Sequence, residues 1–159
     1  QVGATRKEQQ KLVRDTVREL RKLSTATEVG ISKVEYSRRV IDVASTVKLN
    51  LPEIDNVALR KKIGQALTAY IDANGFWEGM YSDKYFEVFF NNYGDGTAKY
   101  GVTLDTFNAT FKRNYALNRN YNNRSYNTFE SECMSQVLTP VWEAAARFIE
   151  EADALIANP

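Results

Sequence analysis

The stretch with the most chemistry in its side chains is KRNYALNRNYNNRSYNTF, residues 112–129. Its tyrosines offer stacking faces, its asparagines offer amide hydrogen bonds, and its arginines can grip a carboxylate or phosphate. Sugars and single-stranded nucleic acids are bound with such groups. The candidate ligand contacts are Arg113, Tyr115, Arg119, Tyr121, Arg124 and Tyr126, with Tyr93 and Tyr100 as further tyrosines able to line a cleft. A plainer expectation competes with this one, and we favour it. Asn tolerates turn geometry, and the stretch has little apolar periodicity, so it reads as a polar connector between helices. Asn108-Ala-Thr110 and Asn123-Arg-Ser125 match the glycosylation acceptor pattern, which carries weight only in a secreted eukaryotic protein.

Other chemistries are narrowed by what the chain lacks. It has no histidine, which removes Ser-His-Asp and Cys-His catalysis and His-Cys zinc sites. Its single cysteine, Cys133, can form no intramolecular disulfide, and its acidic neighbours favour an inert thiol. Carboxylates remain. Glu143, Glu150, Glu151 and Asp153 crowd the last helical stretch. Paired carboxylates can hydrolyse glycosides when they face each other across a cleft. These four fall on an outer face, so a solvated acidic surface is expected. It could complement the basic first helix alongside it or across a dimer. The segment NNYGDGTAKYGV fails as a calcium loop, because Tyr93 and Val102 fall where ligands belong. Neither a metal nor a cofactor is implied, and no phosphate-binding loop is present.

The elements that must position these groups are helices. Prolines number three and glycines eight, and apolar residues recur at three- and four-residue spacing. The first helix is expected from about Thr5 to Glu28, with Leu12, Val13, Val17, Leu20, Leu23 and Thr27 inward and a basic outer stripe running from Lys7 to Lys22. After Gly30, Ser32 and Glu35 have the spacing of a capping box, opening a helix to about Leu49. That helix should bury Val34, Val40, Ile41, Val43, Ala44 and Val47, and group Asp42 with Arg38 and Arg39 as surface ion pairs. A third helix from about Asp55 should bend or end at Asn74–Gly75. Another should start near Ser82 and stop at Gly94, followed by a loop through NNYGDGTAKYG. A β-hairpin over 86–103 is the local alternative. Thr103 should cap the next helix, with Val102 and Phe107 as its staple and Leu104, Phe107, Phe111 and Tyr115 as its apolar line. In the last helix Thr139 and Pro140 suit the N-cap and first turn. Its buried stripe should include Val141, Trp142, Ala145, Ala146, Ile149, Ala152 and Ile156, and a kinked helical piece should precede it.

The fold class expected is therefore all-α: an antiparallel helical bundle with four long helices and shorter aromatic-rich helices in the middle. We expect one domain over 1–159 with an aromatic and Asn-rich central segment at about 76–129, which holds fifteen of the nineteen aromatic residues. A net charge of +1 argues against a general nucleic-acid binder, and no apolar run is long enough for a membrane span. The chain starts at Gln1 without Met, which slightly favours export to a periplasmic or extracellular location. The functional expectation is a non-enzymatic, soluble binding or scaffold module with a protein or a small polar ligand as partner. A glycan-binding domain built on 112–129 is the alternative, and a histidine-free carboxylate enzyme is the third reading.

Overall fold

The computed structural model describes residues 5–82, 86–114 and 133–158. They form an all-α fold with helices α1 (Arg6–Val29), α2 (Lys33–Asn50), α3 (Val57–Ser82), α4 (Phe86–Ala98), α5 (Leu104–Asn114) and α6 (Thr139–Ala157). A short 3-10 turn, Leu51–Glu53, precedes α3, and a π-helical turn, Met134–Leu138, leads into α6. The chain divides into two compact units, Gln1–Ile71 with Ala144–Pro159, and Asp72–Glu143.

In the first unit, α1 begins where two backbone N–H groups find side-chain partners. Thr5 accepts from the Glu8 amide at 3.2 Å, and Glu8 accepts from the Thr5 amide at 2.8 Å. Val13, Thr16, Val17, Leu20, Leu23 and Ala26 then recur on one face and are all buried. Gly30 ends the helix at φ 106°, a left-handed conformation that an L side chain resists. Two residues later Ser32 caps α2 by accepting from the Glu35 amide at 3.3 Å. The Glu35 carboxylate completes no capping box that the structure describes. It holds Arg38 and Arg39 instead, at 2.6 and 3.0 Å.

The core face of α2 is Tyr36, Val40, Val43, Ala44 and Val47. Val34 and Ile41 were expected to join it, yet they are 78% and 63% exposed. At 100° per residue Val34 and Ile41 point roughly 136° and 116° away from the centre of the buried set, off the core face, so their hydrophobicity did not decide their placement. Tyr36 is fully buried and donates to the Tyr70 carbonyl at 2.8 Å. Asn50 donates to the Thr16 hydroxyl at 3.1 Å, which ties the end of α2 to the middle of α1 in an antiparallel pair. Gln9 clamps the following connection, donating to the Glu53 carbonyl at 2.8 Å and accepting from the Asp55 amide at 3.0 Å.

The expected break at Asn74–Gly75 does not occur: α3 runs unbroken to Ser82. In the second unit, α4 likewise passes through Gly94 and Gly96, so neither the loop expected in NNYGDGTAKYG nor the hairpin over 86–103 forms. The glycines serve close packing rather than turning. A Cβ on Gly96 would lie 3.2 Å from the Phe76 ring, and one on Gly79 would lie 2.4 Å from the Tyr93 ring. At Gly79 the ring comes nearer the backbone than a methyl group allows, and at Gly96 a methyl would fit only if the ring gave by a few tenths of an ångström. The stop is instead at Gly101, with φ 77°. Val102 N–H reaches the Thr97 carbonyl at 3.2 Å and Gly101 N–H reaches that of Ala98 at 3.0 Å, the two bonds of a Schellman motif. Thr103 then caps α5 by accepting from the Thr106 amide at 3.2 Å, and the staple residues Val102 and Phe107 are both buried.

Thr139 was expected to cap the last helix, but its backbone is already helical and its N–H bonds to the Met134 carbonyl. The wider π turn changes the hydrogen-bond register just before Pro140, whose nitrogen has no proton to donate. Val141, Ala144, Ala145, Ile149 and Ala152 are buried along α6, whereas Trp142, Ala146 and Ile156 are only half-buried. Among the described helices, none is long and apolar enough to cross a membrane.

Candidate functional site

Of the eight candidate ligand contacts, Tyr115, Arg119, Tyr121, Arg124 and Tyr126 lie outside the described residues, and Arg113 falls in the last turn of α5. Tyr93 and Tyr100 are brought together on one ring, Phe76. Their centroids sit 6.3 and 6.4 Å from it, both edge-on. Tyr93 also stacks on Phe89 at 5.1 Å. These contacts use the ring faces and edges for packing. The Tyr100 hydroxyl donates to Asp72 at 2.5 Å, and Lys99 reaches the same carboxylate oxygen at 3.1 Å. Burial first, then the Asp72 hydrogen bond and its negative charge, push the Tyr100 phenol well above its ordinary range.

Tyr70, in the first unit, is fully buried, and that burial pushes its phenol up to about 12 from 10.0. Because the folded value exceeds the unfolded one, the protonated phenol stabilises the fold at every pH below 10. The contribution fades as pH rises toward 12. Tyr70 should account for roughly 2–3 kcal/mol of the stability lost across that window in alkaline titration followed by urea unfolding, with Tyr100 adding its own share. Tyr70→Phe should remove the Tyr70 share and leave that of Tyr100; an unchanged profile would assign the loss to other groups.

The acids of α6 do not face one another across a cleft as an acid–base pair would. Glu151 pairs with Lys62 of α3 at 2.6 Å, and Asp153 pairs with Arg21 of α1. Glu143 and Glu150 are exposed. Of these acids, Asp153 meets the basic first helix within the molecule, through Arg21. Arg38 and Arg39, expected beside Asp42, are held by Glu35, and their guanidiniums, Arg39 first, keep its carboxyl below the usual range. Cys133 is fully buried. Among the described residues no group of three or more His, Cys, Asp or Glu side chains could hold a metal ion.

A different site lies where α1 ends and α2 begins. There an open groove of about 680 Å³ has Arg18, Arg21, Lys22 and Thr25 along the α1 wall, and Glu35 and Arg39 on the α2 wall. Ala26, Val29 and Ile31 make its other end apolar, and Val29 is 82% exposed. The geometry follows from the short connection. Gly30–Ser32 folds α2 back antiparallel, so Ser32 lies near Val29 and Arg39 near the Arg18–Lys22 turn. The groove is therefore cationic at one end and aliphatic at the other. Four cations line it against one carboxylate. The basic stripe was visible in the sequence; the aliphatic end was not, although the Val-Gly-Ile run at a helix stop was its signal.

A second cavity of about 360 Å³ involves Gln9, Asp55, Leu59 and Ile156. Gln9 already clamps the backbone there, so this cavity reads as a structural seam. No protein-family model matches the chain, and neither a curated protein nor a solved structure is found to resemble it.

Proposed function

We propose that this chain is a non-enzymatic helical binding module and that the α1–α2 groove is its docking surface. The observation that carries the reading is the groove itself, which places exposed Val29 and half-buried Ile31 beside a cluster of cations. A solvated valine gains nothing from exposure, whereas a partner covering it would bury apolar area at about 25 cal/mol per Å². The carboxylate-enzyme reading is weakened by the engagement of Glu151 and Asp153 in ion pairs. The glycan reading rests on residues 112–129, and the two of its tyrosines that are described, Tyr93 and Tyr100, have packing roles.

The test is a selection of displayed random peptides against the wild-type chain, with Val29→Asp as the subtractive control. Val29 is exposed, so the variant should keep the wild-type circular dichroism spectrum. Binders retained by the wild type and lost by the variant are expected. If every binder survives the substitution, the groove is not a docking surface.

A further inference from the structure

Resting on that reading, we infer that the groove's partner is an acidic protein segment carrying an aliphatic anchor roughly 10–16 Å, two to three helical turns, from its carboxylates. Three features of the groove specify this chemistry. First, its polarity is longitudinal. Arg18, Arg21, Lys22 and Arg39 gather at one end, and Ala26, Val29 and Ile31 at the other. A ligand that satisfies both must be negative at one end and apolar at the other.

Second, the length fits a peptide. Arg18 to Val29 spans eleven residues of helix, roughly 16 Å at 1.5 Å per residue. About five residues of extended chain or three helical turns cover that distance. A single small anion would meet only the cationic end. Third, the lining contains no aromatic side chain on which a nucleic-acid base could stack, which disfavours a single strand as the occupant.

The cations are available to a partner. None of the ion pairs among the described residues uses Arg18. Lys22 is paired with Glu19, Arg39 with Glu35 and Arg21 with Asp153, in contacts that leave these cations 59%, 48% and 51% exposed. Exposed pairs of this kind contribute little, so exchanging one for a partner's carboxylate is nearly neutral. The net positive field then speeds encounter with an acidic segment, and the aliphatic end holds it once docked.

The peptides whose binding depends on Val29 decide the matter. They should be rich in Asp and Glu, with Leu, Ile or Val two to three helical turns away, or about three to five residues away in an extended peptide. Labelled copies, titrated by fluorescence anisotropy, should bind roughly tenfold or more weakly to Arg18→Glu and weaken further as salt rises. Replacing their acids by amides should have the same effect. Vesicles of phosphatidylglycerol should not compete. Val29-dependent peptides that lack acids would overturn the inference and leave the binding-module reading standing. So would vesicles that displace the peptides and bind through Arg18, since the anionic surface preferred would then be a membrane. The absence of any Val29-dependent peptide would remove both.

Discussion

Replacing Tyr36 with alanine is expected to lower the unfolding free energy by about 3–5 kcal/mol, the range for emptying a large buried aromatic site. The ring is fully buried on the core face of α2, and its hydroxyl bonds to the Tyr70 carbonyl of α3. Two terms are therefore lost together. Tyr36→Phe separates them, because it keeps the ring and removes only the hydrogen bond. It should cost about 1 kcal/mol. Urea titration followed by circular dichroism at 222 nm gives both numbers. If the alanine variant were no worse than the phenylalanine one, the ring would not be packed as described.

A second pair of substitutions should move stability in opposite directions one helical turn apart. Gly75→Ala should stabilise α3 by about 0.5–1 kcal/mol, because an alanine in a helix loses less entropy and nothing lies within 4 Å of the new methyl. Gly79→Ala gains the same entropic term but drives its methyl to 2.4 Å from the Tyr93 ring. The ring cannot swing aside freely, since it stacks on Phe89 and abuts Phe76. Overpacking of this kind costs about 1–3 kcal/mol, so the clash should outweigh the gain. Adding Tyr93→Ala to Gly79→Ala should show strong positive coupling in a double-mutant cycle, the second change costing less than it does alone. Equal effects at Gly75 and Gly79 would contradict the close approach.

These glycines also show what sequence reasoning reached and where it stopped. Helix starts set by short-range chemistry, at Thr5, Ser32 and Thr103, were legible because cap and amide lie within three residues of each other. Gly30 was legible as a stop for the same reason. Gly75, Gly94 and Gly96 look alike in sequence but sit inside helices, and of the three only Gly96 meets an aromatic ring, that of Phe76. Val34 and Ile41 were assigned to the core by hydrophobicity, yet the angle around α2 excludes them. The groove was legible only by halves. The cations of α1 stood out as a stripe, but Arg39 joins them because a three-residue turn folds α2 back, and no local pattern encodes that meeting. Of the tyrosines nominated for binding, Tyr93 and Tyr100 share a ring, which spacing alone did not indicate.

The two tryptophans, Trp77 and Trp142, both fall within Asp72–Glu143 and meet edge-on at 5.9 Å. Intrinsic emission is therefore a local spectator. It reports the surroundings of that indole pair, while far-ultraviolet dichroism averages over every helix. A melt followed by both signals needs no added label to ask whether the chain comes apart in one step. Coincident midpoints mean that the two units share one cooperative transition, and separated midpoints rank them by stability.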